Sequence, residues 1–232
     1  MKVVILCGGE GTRLSEYTRK IPKPLVEVGG KPILWHIMKI YSHYGFNEFV
    51  LCLGYKGHEI KKYFKNNKHD WNIEFVDTSN ASNKAQRLLK IQKYIKDDDF
   101  LVTYGDDVSN VNINKVIDFH FKNKKIVTLS AVPLYSNFGV LELDEDTVVG
   151  FKEKPRIKDK WFNGGFFVFN KKIFEYLDRG DLEDEVFKFL AENKQISAFK
   201  HNGFWKSMNT FKDVIELNKL WTEDKADWRV WK

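Results

Sequence analysis

A glycine-rich segment near the start of the chain carries residue types that suit phosphate binding. Residues 8–13 read Gly-Gly-Glu-Gly-Thr-Arg, and Lys23 follows between two prolines. Consecutive backbone N–H groups in such a turn can surround an anion, and glycine lets a ligand approach the backbone closely. Arg13 adds a planar guanidinium matched to phosphate oxygens, and Lys23 adds a mobile positive charge. Together they suit a triphosphate that releases pyrophosphate, because fixed donors stabilise the charge that builds up on the leaving group.

Two common phosphate-binding motifs do not match this segment. A dinucleotide-binding motif needs a third glycine where the chain has Leu14, and two prolines interrupt the helix that should follow. A P-loop fails because a proline follows the Gly30-Lys31 pair. A tight turn that uses glycine only for its shape is the remaining alternative, and Arg13 and Lys23 argue against it.

Strand-like and helical patterns alternate along the first half of the chain, which indicates a mostly parallel sheet with helices on both faces. Beyond residue 125 the strands follow one another more closely, which indicates an antiparallel or mixed portion. The predicted strands are 2–6, 49–53, 73–76, 100–103, 126–133, 139–143, 161–169 and 196–200. The predicted helices are 33–44, 58–66, 85–95, 112–122, 171–176, 183–192 and 210–222.

Three chemically informative stretches lie beside predicted strands. The glycine-rich segment follows the first strand, and Tyr-Gly-Asp-Asp at 104–107 follows the strand at 100–103. Glu-Lys-Pro at 153–155 precedes the strand at 161–169. Ligands of open α/β sheets sit at the carboxyl ends of strands, so we expect these stretches to converge.

The bulk composition excludes several classes of protein. The chain has 232 residues, of which 43% are hydrophobic and 15% aromatic, enough for a substantial core. Its apolar runs are too short for membrane helices, and the start lacks a secretory signal. The net charge of +6 comes from lysines scattered among acids, which favours a solvated surface over a nucleic-acid interface. Cys7 and Cys52 have no metal-ligand spacing and are expected to be reduced core residues of a cytoplasmic protein.

Several motifs resemble those of the nucleotidyltransferases that make nucleoside diphosphate sugars, in particular the glucose-1-phosphate cytidylyltransferases. The likeness runs nearly end to end, through residues 6–14, 22–24, 104–106, 151–155, 163–167, 203–205 and 228–231. It implies a Rossmann-like, glycosyltransferase-A-like α/β fold, with a mixed, mostly parallel sheet and helices on both faces. It also implies one domain over residues 1–232, with a nucleotide-binding half (1–125) and an acceptor-binding half (126–232).

The resemblance also implies roles for individual residues. Attack of an acceptor phosphate on the α-phosphorus of CTP would release pyrophosphate, with Arg13 holding pyrophosphate and Lys23 bridging the two substrates' phosphates. The implied nucleotide-binding residues are Leu6, Gly8, Gly9, Gly11, Thr12, Arg87 and Asp106. The implied acceptor-binding residues are Lys154, Asn163 and Gly164. Asp106, and more weakly Asn209, would bind Mg²⁺, with Mn²⁺ as the alternative ion.

Each of these roles has a purely structural alternative. Lys154 could be a solvated turn lysine, and Asn163 could satisfy backbone groups at a strand end. Asp106 and Asp107 could cap the helix that begins near Asn112.

The chain departs from the pattern of the glucose-specific enzymes in three places. It reads Lys-Ala-Gln-Arg at 84–87 instead of Thr-Gly-Gly-Arg, which keeps Arg87 but adds a cation and removes two glycines. It has Asn209 where the family has an aspartate, which removes a negative charge from the metal site. An acidic, Trp-containing segment is shortened to residues 179–185.

These departures predict an acceptor other than glucose 1-phosphate. The expected acceptor is a phosphorylated metabolite such as L-glutamine phosphate, in capsule or surface polysaccharide biosynthesis. The alternatives are a glucose-1-phosphate or other sugar-1-phosphate cytidylyltransferase and a nucleotide-binding module of weak activity. A homo-oligomer without nucleic-acid or membrane partners is expected. The Trp-rich end, with Trp221, Trp228 and Trp231, either packs back onto the core or forms a subunit contact.

Overall fold

A computed structural model describes residues 1–14 and 18–231, which include every candidate residue named above. The helices are α1 (Ile33–His43), α2 (Gly57–Asn66), α3 (Lys84–Ile91), α4 (Ile113–Asn123), α5 (Lys188–Glu192) and α6 (Phe211–Thr222). The strands are β1 (Val3–Leu6), β2 (Glu27–Val28), β3 (Lys31–Pro32), β4 (Glu48–Leu53), β5 (Asn72–Asp77), β6 (Asp99–Tyr104), β7 (Asp107–Ser109), β8 (Val127–Tyr135), β9 (Val140–Asp144), β10 (Thr147–Lys152), β11 (Arg156–Asn163), β12 (Phe167–Asn170), β13 (Ile196–Lys200) and β14 (Trp205–Ser207).

One mixed, mostly parallel sheet runs through both halves of the chain. Strands β5, β4, β1 and β6 are parallel neighbours in that order. The antiparallel strand β12 joins β6 to β8, β11 extends along β8, and β13 pairs with β8 in parallel. The predicted fold class is thus confirmed.

The helices cover the sheet on both faces because its central strands are apolar on both sides. In β1, Val3 and Ile5 face a core that includes residues of α1, α2, α4 and α6. Val4 and Leu6 face a second core built with α3, α5 and the π-helical turn Leu182–Phe187 that leads into α5. A strand buried on both faces reads as a continuous apolar run, which is why β1 is easy to find from sequence.

The predicted strand at 161–169 is wrong in one respect, since the structure divides it into β11 and β12. Gly165 (φ 72°) and Phe166 (φ 47°) have left-handed backbone conformations that end the extended run. The break lets β11 pair with β8 while β12 passes between β8 and β6. The Asn-Gly-Gly run at 163–165 is the sequence signal of this break, because glycine favours turns, but aromatic residues on both sides make the segment resemble one strand.

Smaller differences concern the ends and types of elements. The helix predicted at 85–95 ends at Ile91 and continues as a 3₁₀ turn, Gln92–Tyr94. The helix predicted at 171–176 is a 3₁₀ turn, Lys171–Glu175. The strand pairs β2–β3 and β7–β14 were not predicted, because each of these strands has only two or three residues. The second strand of the β9–β10 hairpin was not predicted either.

The Trp-rich end packs back onto the core. Trp228 is fully buried, and its indole N–H donates to Nδ1 of His36 at 3.4 Å. Cys7 and Cys52 are free and buried, as predicted. Among the described helices, none has the length and apolar character needed to cross a bilayer.

Candidate active site

The candidate residues surround a cavity of about 620 Å³ at the carboxyl ends of β1 and β6. Its wall includes parts of the glycine-rich loop, the segment after β6, the start of α3 and the segment after β14. The predicted residues that line it are Leu6, Gly8, Gly9, Gly11, Thr12, Arg13, Lys23, Arg87, Asp106, Asn163 and Asn209. The expected convergence of the glycine-rich loop and the 104–107 segment is therefore observed.

Tight packing shapes the glycine-rich loop. The carbonyl of Gly8 accepts from the N–H of Tyr55 at 3.1 Å, which ties the loop to the end of β4. A side chain at position 8 would overlap the Arg87 guanidinium and crowd the Gly54 nitrogen at 2.9 Å. Gly11 has a φ of 64°, which glycine adopts without strain. Packing thus requires glycine at position 8, and the backbone conformation favours it at position 11.

Arg87 supports the glycine-rich loop through hydrogen bonds. Its Nη2 donates to the Gly8 carbonyl at 3.0 Å, and its Nη1 donates to Thr78 Oγ1 at 2.7 Å and to the Leu53 carbonyl at 3.3 Å. Only 5% of the residue is exposed, and burial lowers the pKa of the guanidinium. The sequence predicted a phosphate contact, but the structure directs these donors to protein oxygens. Arg87 therefore positions the loop.

The two predicted catalytic cations have different surroundings. Arg13 lies in the 3₁₀ turn Thr12–Leu14, is exposed to the cavity, and makes no hydrogen bond or ion pair with residues that the structure describes. Lys23 begins the 3₁₀ turn Lys23–Leu25 and is only 8% exposed. Its ammonium forms an ion pair with Asp106 and donates to Asn209 Oδ1 at 3.0 Å. Among the residues that the structure describes, Arg13 thus has no competing partner beside the cavity, whereas Lys23 is engaged.

A second carboxylate, Asp107, lines the cavity beside Asp106 and was not among the predicted site residues. It is 5% exposed, and burial together with the neighbouring Asp106 raises its pKa well above the usual value. The helix-capping alternative for this pair is wrong, because Asn112 caps α4 with its own side chain, which accepts from the Lys115 N–H at 3.0 Å.

A series of polar contacts links four further residues that line the cavity. Asn163 donates to the Tyr104 hydroxyl at 3.1 Å, and that hydroxyl donates to Glu183 at 2.5 Å. Glu183 also pairs with Lys84 at 2.6 Å. Two of the departures from the family pattern, at 84–87 and at 179–185, thus contact each other. Sequence reasoning could not pair them, because the two residues are far apart in the chain.

Lys154 and Gly164 do not line the cavity. The Lys154 side chain is 61% exposed and lies 3.6 Å from Glu153, in the connection between β10 and β11. The carbonyl of Gly164 accepts from the Trp205 indole N–H at 2.7 Å. Trp205 itself lines the cavity. Neither residue lines the cavity, and their acceptor-binding role stays a prediction.

The arrangement fits a hard divalent cation. An oxygen of Asp106 and Oδ1 of Asn209 converge on one point, the position of the Lys23 ammonium. Mg²⁺ in proteins typically takes one or two such ligands together with phosphate and water oxygens. Within residues 1–14 and 18–231, no group of three or more His, Cys, Asp or Glu side chains is placed to hold a metal. A Mg²⁺ ion held by these two oxygens would therefore need further oxygens from water or a ligand.

Comparisons with known proteins place this site in a family. The profile described as "Nucleotidyl transferase" matches residues 2–224. The chain is 42% identical to the "Probable glucose-1-phosphate cytidylyltransferase" of Bacillus subtilis and 43% identical to the "Glucose-1-phosphate cytidylyltransferase" of Salmonella typhi, with all of each chain covered. These alignments span 255 and 256 positions, so the relatives carry insertions that the 232 residues of this chain lack.

Solved structures of the same fold agree. HddC from Yersinia pseudotuberculosis, complexed with GMP-PN, is 27% identical with a TM-score of 0.73, over 95% of this chain and 99% of that one. A "Putative Glucose-1-Phosphate Thymidylyltransferase" from Bacillus anthracis has a TM-score of 0.77 at 19% identity, over 100% and 98% of the two chains, and shows the shared fold. From its profile match and its full-length relatives, the chain belongs to the nucleotidyl transferase family and is a nucleotidyltransferase.

Proposed function

We propose that the chain is a cytidylyltransferase that transfers CMP from CTP to a sugar 1-phosphate, with glucose 1-phosphate as the first candidate. The products are a CDP-sugar and pyrophosphate. The observation that carries the proposal is the convergence of Arg13, Lys23 and Asp106 beside the glycine-rich loop in one cavity. The full-length relatives, both named as glucose-1-phosphate cytidylyltransferases, support the choice of donor and acceptor.

The chemistry requires two polyanions to meet without strong repulsion. An oxygen of the acceptor phosphate attacks the α-phosphorus, the bond to the oxygen that bridges to the β-phosphate breaks, and pyrophosphate leaves with that oxygen. The exposed guanidinium of Arg13 is placed to bind the departing pyrophosphate. Lys23 can reach both phosphates once its ammonium leaves Asp106, and its charge offsets their repulsion.

Asp106 and Asn209 would hold a Mg²⁺ ion, which would neutralise charge on the nucleotide phosphates. Each contributes one oxygen at the point that Lys23 contacts. Asp107 lies beside this point, and its raised pKa favours a neutral acid that adds no further negative charge near the phosphates.

The relatives favour a sugar phosphate over the L-glutamine phosphate that the departures predicted. One observation retains a zwitterionic acceptor as the second candidate. The wall opposite the glycine-rich loop carries the Lys84–Glu183 ion pair, and paired charges of this kind also suit an ammonium and a carboxylate.

The test measures pyrophosphate released from CTP with Mg²⁺ or Mn²⁺ and a panel of acceptors. The panel contains glucose 1-phosphate, other sugar 1-phosphates and L-glutamine phosphate. Release with glucose 1-phosphate is the expected result. Release only with L-glutamine phosphate would reverse the order of the acceptors, and CTP binding without release under any condition would favour a nucleotide-binding module.

The Lys23→Ala variant is expected to lose turnover by about 1000-fold, since it removes a cation that acts on the charge developing in the transition state. Pyrophosphate release is compared with that of Lys61→Ala, which removes an exposed lysine on α2. Circular dichroism checks that both variants fold. Turnover of Lys23→Ala close to that of Lys61→Ala would contradict the mechanism.

A further inference from the structure

The Lys23 ammonium lies at the position proposed for the divalent cation. The ammonium contacts Asp106 and Asn209, the same two side chains whose oxygens fit a divalent cation. Lys23 is nearly buried, so its ammonium is held at this point and does not move freely in solvent. A lysine ammonium is itself a compact cation that binds oxygen atoms. The Lys23 ammonium and a divalent cation would therefore compete for the same position.

The local charges explain why the position is filled. The Asp106 side chain is only 24% exposed, and a partly buried carboxylate is stabilised by a nearby positive charge. Arg13 contributes charge from the cavity, but it forms no ion pair with Asp106 among the described residues. Lys23 makes the direct contact.

We propose that Lys23 occupies the divalent-cation position in the nucleotide-free protein and is displaced when the cation arrives with the nucleotide. This inference rests on the proposed function. The displaced ammonium is then released toward the phosphates, where the reaction uses it. The cation by itself binds weakly, because it must first break the ion pair between Lys23 and Asp106. The same side chain thus offsets the charge of Asp106 in the empty site and is released when the divalent cation displaces it.

Asn209 contributes to this exchange. An amide oxygen can accept a hydrogen bond from an ammonium or ligate a metal, but it adds no negative charge. One carboxylate and one amide can therefore be satisfied by a single lysine in the empty protein. When the nucleotide phosphates arrive, their negative charge favours the divalent ion over the ammonium.

The first test measures binding of Mn²⁺ alone to the nucleotide-free protein, by electron paramagnetic resonance of the free ion. Lys23→Met is expected to bind Mn²⁺ about tenfold more tightly than the unaltered chain, because the site no longer has to be emptied. The matched control is Arg13→Met, which removes a neighbouring positive charge without touching Asp106. Lys61→Met controls for the loss of a distant lysine.

Two outcomes of this test would overturn the proposal. One is unchanged Mn²⁺ affinity in Lys23→Met. The other is equal tightening in Lys23→Met and Arg13→Met, since net charge alone would then account for the effect. No nucleotide is used, so a protein that fails to transfer CMP refutes the proposed function and leaves this result standing.

The second test uses the unaltered protein and does not depend on the folding of a variant. Acetic anhydride acylates accessible, unprotonated lysines, and mass spectrometry reports the extent at each one. Labelling of Lys23 is expected to be low in the metal-free protein and to rise about tenfold at saturating Mg²⁺, because displacement breaks the ion pair. Labelling of Lys61 should not change. Constant labelling of Lys23 at saturating Mg²⁺ would contradict the exchange.

Discussion

Arg87 illustrates, at the scale of single residues, how a charged side chain can shape a binding loop through hydrogen bonds to protein oxygens. Its guanidinium reaches the end of β4, the segment after β5 and Gly8 at once. Only a planar group with several fixed donors can satisfy oxygens in these separate directions. The presence of Arg87 in the family pattern is thus explained by the support of the glycine-rich loop.

Replacing Arg87 with lysine should destabilise the protein by about 3 kcal/mol, since Thr78 Oγ1 and the carbonyls of Gly8 and Leu53 would each lose the hydrogen bond that the guanidinium donates. CTP binding should weaken as well, because the loop loses its brace. Urea denaturation and calorimetric titration with CTP would measure both effects. Arg19→Lys, at an exposed position, is the control. Unchanged stability in Arg87→Lys would show that the brace is dispensable.

Asn209 is the residue at which we expect charge and metal use to be linked. Asn209→Asp adds a carboxylate at the position of an oxygen that already faces the proposed cation site. The Mg²⁺ concentration that gives half-maximal pyrophosphate release at saturating CTP should fall about tenfold, because a second negative ligand strengthens binding of a hard cation. A requirement that stays the same or rises would show that Asn209 does not face the bound ion.

At the scale of elements, β2, α1 and the Trp-rich end meet at His36. Its Nε2 lies 2.8 Å from the Val28 carbonyl, to which it donates, and its Nδ1 accepts from Trp228. The rings of Trp221 and Trp231 lie 5.0 and 5.9 Å from the imidazole centroid. Burial lowers the pKa of His36 from 6.5 to about 4, so the folded chain holds the neutral imidazole.

This shift predicts acid sensitivity with a definite sign. Between pH 6.5 and about 4 the unfolded chain binds a proton at His36 and the folded chain does not. The contribution of His36 is therefore complete above pH 6.5 and is lost as the pH falls to about 4, by up to about 3 kcal/mol.

Urea denaturation at pH 7 and pH 4.5 measures the effect. His36→Gln keeps a donor and an acceptor but does not titrate. Its free energy of unfolding should therefore fall by up to about 3 kcal/mol less on acidification than that of the unaltered protein. Other titrating groups are common to both proteins and cancel in the difference. Equal losses in the two proteins would contradict the assignment.

At the scale of the whole molecule, the β9–β10 hairpin and the segment before it form the most apolar part of the described surface. Phe138 is 78% exposed and Phe151 is 64% exposed. The hairpin turn is acidic, at 144–146, and the next strand, β11, is basic, with Lys158 and Lys160. Exposed apolar patches of this kind mark protein interaction sites, and opposite charges side by side suit pairing of two identical surfaces.

The predicted homo-oligomer is therefore expected to use this hairpin. The double variant Phe138→Asp, Phe151→Asp should shift the molar mass in light scattering toward the monomer, since it places charges in an apolar contact. Phe121→Asp, at an exposed position on α4, is the control. An oligomer unaffected by the double variant would place the interface elsewhere, and a monomeric unaltered chain would refute the predicted oligomer.

Most of the fold and much of the site followed from local patterns. Buried strands are apolar runs, and helices with one apolar stripe alternate with them, so the sheet could be predicted from periodicity alone. The glycine-rich loop and the 104–107 segment follow two parallel neighbours, β1 and β6, and for this reason share one edge. Arg13 and Lys23 could be chosen because their side chains suit phosphate, and Asp106 because the chain resembles the nucleotidyltransferases.

Tertiary structure alone decided which side chains meet. Lys23 and Asp106 are separated by 83 positions, and no periodicity relates them. The pairing of Lys84 with Glu183, the direction of the Arg87 donors and the exposure of Lys154 likewise depend on distant elements packing together. Sequence reports what a residue can do, because its chemistry is local. Burial and the identity of the partner determine what it does, and both are properties of the folded chain.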